Sequence, residues 1–372
     1  MNIIKTQKQG LLFRTFESDG RHLLAVSALH FFSFNSGSLA AETALWPFLA
    51  EQLGKEAIFD LGMPKPRAEG LVMGKCFAPG GRPAQACTVE FKLGPVTKQL
   101  YVLGNRFWET VSGVKKISRA ETFTVMDLGW KNAFGGPDYP QNPWGKSHRP
   151  IILNDGREIH PLPNIEHPEN LIGSPDDRPV PAGFGPLDLT WPQRLSKAGT
   201  YDHQWLRESF PGPARDMDWT FFNAAPPDQW LKGYLQGNEP FRFANMHPNH
   251  PVIEGRLPGF RSRVFINQKT AEGEVLREVA MRAETAWFFP HEEKGVLIHR
   301  GTIEIKTDDA EDVLHLMAGY EKLEEEPLSL DHYKAEFVRR SDPEKKHLFI
   351  LREQGLVPES EMAARAGEDQ AA

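Results

Sequence analysis

Acidic side chains and arginines punctuate one stretch of the chain, and they are its first candidates for chemistry: Arg194, Asp202, Arg207, Asp216, Asp218, Asp228 and Glu239. A pair of acids on either side of a glycosidic bond, over a platform of tryptophans, would bind or cleave a sugar. The same groups also cap turns and tie irregular backbone to itself beside Pro and Gly, and a long loop needs many such ties. We favour the second reading. Histidines offer another candidate. Met246-His247-Pro248-Asn249-His250-Pro251, with Asp202-His203, holds the residue types of a metal site. His247 and His250 sit in a Pro-bounded loop rather than one turn apart on a helix, so no metal is expected.

Two glycine patterns fail on inspection. Pro140-Gln141-Asn142-Pro143-Trp144-Gly145-Lys146-Ser147 ends like a phosphate-binding loop, but Pro140 stands where its first glycine is required and supplies no N–H. Gly183-Phe184-Gly185 has Asp188 in place of the third glycine of a dinucleotide turn. No G-x-S-x-G elbow occurs, and neither cysteine has a histidine nearby in sequence. No catalytic residue and no cofactor are expected.

The residues that could position such groups are unusual. Leu128 to Gly259 holds 6 of the 9 Trp and 20 of the 30 Pro. Fixing a long irregular backbone costs about 1–2 kcal/mol per residue, which packed rings and prolines must offset. Ordered loops of this length usually carry function.

Around that segment the pattern is β. Residues 10–34 read as two strands turning at Asp19-Gly20, followed by a short helix with Leu45, Phe48, Leu49 and Leu53 on one stripe and Gly54 as its C-cap. Pro47 should keep that helix from running far upstream. GLVMGKCF, CTVEFKLG and TKQLYVLG alternate as a meander through the Gly80-Gly81 and Gly94-Pro95 turns, and ETFTVMDL adds a strand. Strands resume as RVFINQ, EVLREVAMRA, ETAWFFP and GVLIHRGTIEIK. Beyond them Asp309 should cap a helix striped by Val313, Met317 and Tyr320, Ser329 a second with Tyr333 and Phe337, and Asp342-Pro343 should open a third that Gly355 ends.

The expectation is a mainly β, α+β chain: an antiparallel β-rich domain over 1–305 with the segment 128–260 inserted between its strands, a helical C-terminal region over 306–358, and a disordered tail over 359–372. Formal charge is −7, but residues 301–372 hold 18 acidic against 9 basic side chains, leaving +2 on the rest. Nothing advertises a phosphate-tracking face, so no nucleic-acid partner is expected. The two cysteines, Cys76 and Cys87, are too few for a disulfide framework. They could face each other across the hairpin of Pro79 to Pro83, but two isolated buried thiols are expected. No signal peptide or membrane span is legible, which points to the cytoplasm and to no membrane partner.

Several motifs, in order, resemble one bacterial family, catalogued as domain of unknown function 2169: Met63-Pro64-Lys65-Pro66-Arg67-Ala68-Glu69, Gly104-Asn105-Arg106-Phe107-Trp108, Asn132 to Tyr139, Asn142 to Lys146, Leu162 to Glu166, Pro181 to Gly185, Trp191 to Arg194, Gly199-Thr200-Tyr201, Trp205, Phe222 to Gln229 and Leu257-Pro258-Gly259. The resemblance implies a non-enzymatic adaptor or chaperone, encoded in type VI secretion loci, that helps load a secreted effector protein onto the VgrG or PAAR spike protein. It brings no catalytic residues. An adaptor needs rigid aromatic anchors. Partner-binding residues are therefore expected among Trp130, Asn132, Phe134, Gly135, Gly136, Asn142, Trp144, Lys146, Trp191, Arg194, Trp205, Asp228 and Gln229. A carbohydrate-binding or carbohydrate-cleaving protein is the alternative.

Overall fold

The computed structural model describes residues 1–341 except 8, 36, 38, 40, 41, 54–61, 148, 153, 155–157 and 211. Alternating apolar residues build its framework, a mainly antiparallel β architecture. The central sheet runs β2 (Gly10–Ser18), β3 (Arg21–Ser33), β19 (Lys294–Ile305), β18 (Arg282–Phe289), β4 (Glu69–Val72). A second runs β13 (Ile165–Glu166), β7 (Val96–Leu103), β6 (Ala86–Leu93), β14 (Pro240–Ala244), β15 (Val252–Arg256). A third runs β1 (Asn2–Lys5), β20 (Val313–Lys322), β16 (Phe260–Thr270), β17 (Gly273–Val279). Two small sheets remain: β10 (Val125–Asp127) with β5 (Lys75–Phe77), and β11 (Ile151–Ile152), β12 (Glu158–Pro161), β8 (Phe107–Val111), β9 (Val114–Ile117). Only β1 with β20 and β4 with β18 pair in parallel among the described strands.

The main core lies between the central and second sheets. Period-two alternation aims Val89, Phe91 and Leu93 of β6 at Phe32, Ala286 and Phe288. Six phenylalanines meet there. Phe243 stacks on Phe34 and Phe91 at 5.6 and 5.7 Å, and Phe288 lies 5.2 Å from both Phe241 and Phe243. On the opposite face of the central sheet, Leu45, Phe48 and Leu49 of helix α1 (Glu42–Leu53) pack with Phe31, Trp287 and Phe289. The start of β3 packs through Leu24 and Val26 against Val264, Ile266 and Leu316 of the third sheet.

Several expectations hold. The hairpin turns at Asp19-Gly20, both with positive φ, and the strands beyond residue 259 form. Ser329 accepts a bond from the His332 amide at the start of α4 (Leu330–Ser341), which packs Tyr333 on Phe265. Three need correction. Val313–Lys322 is a strand rather than a helix: β20 pairs with β1 and β16, and both of its faces are covered, one by Leu24 and Val26 of β3 over Leu316 and Ala318 and the other by Tyr333 over Met317, so its apolar run is nearly continuous. The helical stripe Val313, Met317, Tyr320 was a coincidence of that run. α1 starts at Glu42, with Pro47 inside it. Proline there gives up the bond to the Thr43 carbonyl, a cost that the packing of Leu45, Phe48 and Leu49 on the sheet offsets. GLVMGKCF breaks into β4 and β5, which join different sheets instead of leading a meander. The helix expected from Asp342-Pro343, the tail 359–372 and Gly54 lie outside the described residues.

The hairpin β8–β9 and strand β1 were not foreseen. Cys76 and Cys87 are buried free thiols as expected but not isolated ones: the neighbouring Cys87 thiol, together with burial, pushes the Cys76 thiol up. No helix among the described residues is long and apolar enough to cross a membrane.

A buried polar seam joins the central and third sheets. His30 of β3 and His299 of β19 meet edge-on at 5.0 Å, His30 Nε2 lies 2.7 Å from Ser262 Oγ of β16, and Tyr320 of β20 caps His30 at 5.3 Å. Burial drives His299 down from 6.5 to about 4, softened by a bond with the Phe260 backbone, and burial with His299 drives His30 well below 6.5. Both rings fold neutral and would take up protons when unfolded. Their contribution is therefore complete above about pH 6.5 and drains away as pH falls toward 4. Urea midpoints measured across that window should fall, by a few kcal/mol in stability, and His299→Gln should flatten the decline.

Candidate functional site

The irregular segment is attached to the sheets by long polar side chains that reach its backbone. Glu69, on the edge strand β4, is fully buried. Its carboxylate accepts from Lys65 Nζ, from Asn223 Nδ2 at 3.0 Å, and from the amides of Ala224 and Ala225 at 3.3 and 3.0 Å. Gln229 donates to Gly70 O at 2.7 Å and Phe184 O at 3.1 Å. Lys98 of β7 donates to Gly183 O at 2.7 Å, Asp228 at 2.9 Å and Gln229 Oε1 at 3.0 Å. Burial pulls its pKa below the ordinary lysine value against the opposing pull of Asp228. Arg194, also buried, spends its guanidinium on Phe221 O and Leu187 O at 2.8 and 2.9 Å.

The turn from Trp130 to Ser147 is held the same way. Asn142 is fully buried and donates to Trp130 O and Phe134 O at 2.8 and 2.9 Å. Gly135 allows that approach, since a Cβ there would stand 2.1 Å from Asn142 O, and Gly136 has a φ of 114°. Asn132 donates to Asp127 O, Phe134 packs on Tyr139, and Lys146 reaches Asn164, which in turn donates to Leu103 O of β7. Trp191 is buried between two indoles, meeting Trp130 and Trp144 edge-on at 5.5 Å each. Trp130 is buried and donates to Pro186 O at 2.9 Å, whereas Trp144 is 64% exposed.

Solvent-facing rings concentrate further along. Trp205, half-buried on helix α3 (His203–Glu208), lies 4.9 Å from the ring of Tyr201 and 5.5 Å from that of Phe210. Tyr201 and Phe210 are 51% and 64% exposed, with Leu206 exposed beside them. The strip is fixed from behind. Asp202 caps α3 through the Gln204 and Trp205 amides, the Trp205 indole donates to Gly212 O, and Asp216 accepts from the amide and hydroxyl of Thr200. Those Thr200 bonds hold the Asp216 carboxyl below its usual range. Tyr201 and Phe210 were not among the expected site residues. Their signal was an aromatic on each side of a capped helix too short to bury them.

The other acids are engaged in the same way. Asp218 caps the turn Trp219–Phe222, Asp228 pairs with Lys98, and Glu239 accepts from the Gln236 and Gly237 amides. His247 and His250 stack at 4.7 Å, and Glu293 lies 3.9 and 3.5 Å from their Nε2 atoms, a cluster of metal-ligating types that the sequence did not show as one. The His247 Nδ1, however, accepts from the Asn249 and His250 amides at 3.1 and 3.0 Å. That places the ring proton on Nε2, aimed at Glu293, where a metal would need the lone pair.

A family model described as an uncharacterized protein conserved in bacteria, domain of unknown function 2169, matches residues 19–300. The match takes in the irregular segment and the strands that anchor it, and ends within β19. Comparison with curated proteins and with solved structures finds no match.

The Glu69 junction makes a stability prediction. Glu69→Gln takes from the buried Lys65 ammonium the carboxylate bonded to it and should cost about 3–5 kcal/mol. Equilibrium urea unfolding would register it as a lowered midpoint; an unchanged midpoint would show the junction to be incidental.

Proposed function

Because the chain belongs to this bacterial family and carries a pinned strip of rings, we propose that it is a non-enzymatic adaptor that binds a secreted effector polypeptide in the cytoplasm and helps load it onto the VgrG or PAAR spike of a type VI secretion system. The observation that carries this reading is the strip Tyr201, Trp205 and Phe210, solvent-facing yet fixed by a capped helix and an indole hydrogen bond. Rings held in place before binding bury large area with little loss of rotamer entropy, and such residues dominate protein interfaces. Side chains that sequence placed at the site divide accordingly. Trp130, Asn142, Trp191, Arg194 and Gln229 hold the platform, while Trp144 and Trp205 reach its surface. Support for a non-catalytic role comes from the acids of the segment, which satisfy backbone amides and Lys98.

Capture from lysate of the producing bacterium, with the effector and spike proteins identified by mass spectrometry, tests the reading. Tyr201→Ala with Phe210→Ala should weaken capture roughly tenfold or more while leaving the melting temperature in place. Glycan binding or hydrolysis without a protein partner would instead favour the carbohydrate alternative.

A further inference from the structure

A cavity of about 350 Å³ opens where the Pro64-Lys65-Pro66 turn, the segment and the central sheet meet. Trp219, Tyr234 and the two prolines form its apolar walls, and Lys65, Arg282, Glu284 and Arg300 supply its charge. Three cations face one carboxylate. The arrangement is strained in one respect: Arg282 of β18 stands directly opposite Arg300 of β19 in the antiparallel register. Like charges in that relation repel and destabilise a sheet.

Most of these charges are already matched. Glu284 pairs with Arg300 at 2.6 Å and accepts the Lys65 amide at 3.0 Å, Arg300 also donates to Ser27, and Lys65 pairs with Glu69. Arg282 differs. It is exposed, lies over the Tyr234 ring at 4.8 Å and donates to the Tyr234 hydroxyl at 3.2 Å, with no carboxylate partner among the described residues. Tyr234 holds the guanidinium at the cavity through its ring and its hydroxyl, and the nitrogens not bonded to that hydroxyl are left to donate to a carboxylate.

We propose that this cavity is a recognition site for a carboxylate of the bound polypeptide, from an acidic side chain or a C-terminus. Arg282 makes the contact, and Trp219 with the prolines covers the adjoining methylenes. The inference deepens the adaptor reading and rests on it for the source of the carboxylate.

Two peptide pairs test it on the full chain by isothermal titration: acetyl-Ala-Glu-Ala-amide against its Gln analogue, and acetyl-Ala-Ala-Ala with a free C-terminus against its amide. At least one charged peptide should bind roughly tenfold or more tighter than its neutral partner, and the first or second pair says which source is read. Arg282→Gln should abolish the preference while leaving the urea midpoint unchanged or raised, because the like-charge pair is gone. Equal binding within both pairs, or a preference that survives Arg282→Gln, overturns the proposal. Partner capture that persists with no charge preference sinks the cavity alone. A charge preference with no partner captured sinks the adaptor reading and keeps the carboxylate site.

Discussion

The buried carboxylate of Glu69 sets the terms for the whole molecule. It sits on β4, an outer strand of the central sheet, where unpaired N–H and C=O groups would otherwise face solvent. The irregular segment closes that edge. Glu69 takes the Asn223 amide and the next two backbone N–H groups, the Leu231 amide bonds Ala68 O, and the Gln229 side chain occupies Gly70 O in place of a neighbouring strand. One polar residue thereby satisfies donors that a loop, having no ladder of its own, would leave bare. Lys65 balances its charge, so the junction is neutral as well as saturated.

The same device recurs on the second sheet, where Lys98 and Asn164 bond backbone groups more than fifty residues away in sequence. A segment built this way is stiff without being regular, and stiffness makes exposed rings useful. Trp191, packed between two other indoles, and Arg194, spent on carbonyls, contribute nothing to a surface directly. Trp191 backs the exposed Trp144, while the turns that carry Tyr201 and Phe210 are held by Asp202, Asp216 and the bond from the Trp205 indole to Gly212.

How much of this could be read from sequence follows from the range of the interactions. Hairpins were legible because Asp19-Gly20 and the alternation of β6 and β7 are local signals. β20 was misread because a strand covered on both faces shows no alternation, and its neighbours β1 and β16 lie far away in sequence. The concentration of Trp and Pro singled out 128–260 as a segment, but not which rings were inside, since burial of Trp130 depends on Gly183 and Pro186 arriving beside it. Glu69 stood out only as the end of a family motif, and Lys98 not at all. Each looks like one more charged residue on a strand until a partner beyond residue 180 closes over it. Neither the acids nor His247 and His250 formed a spaced motif, and in the structure they act as caps and hydrogen-bonding loop residues.

The geometry also joins support to recognition. Lys65 belongs both to the ion pair at the Glu69 junction and to the lining of the cavity beside it, where Glu284 accepts its amide. Buried ion pairs gain little over well-packed apolar residues, so their retention calls for a reason other than stability. Fixing the Pro64-Lys65-Pro66 turn is one such reason: the Lys65 amide bonded to Glu284 and its ammonium bonded to Glu69 clamp the turn at two points between the segment and the sheet. With that wall clamped and Arg300 committed to Glu284, Arg282 is left on the rim without a carboxylate partner among the described residues, held by the ring and hydroxyl of Tyr234. Neutralising every internal charge except the one facing solvent is what an anion site requires, and here the network that anchors the loops performs that neutralisation.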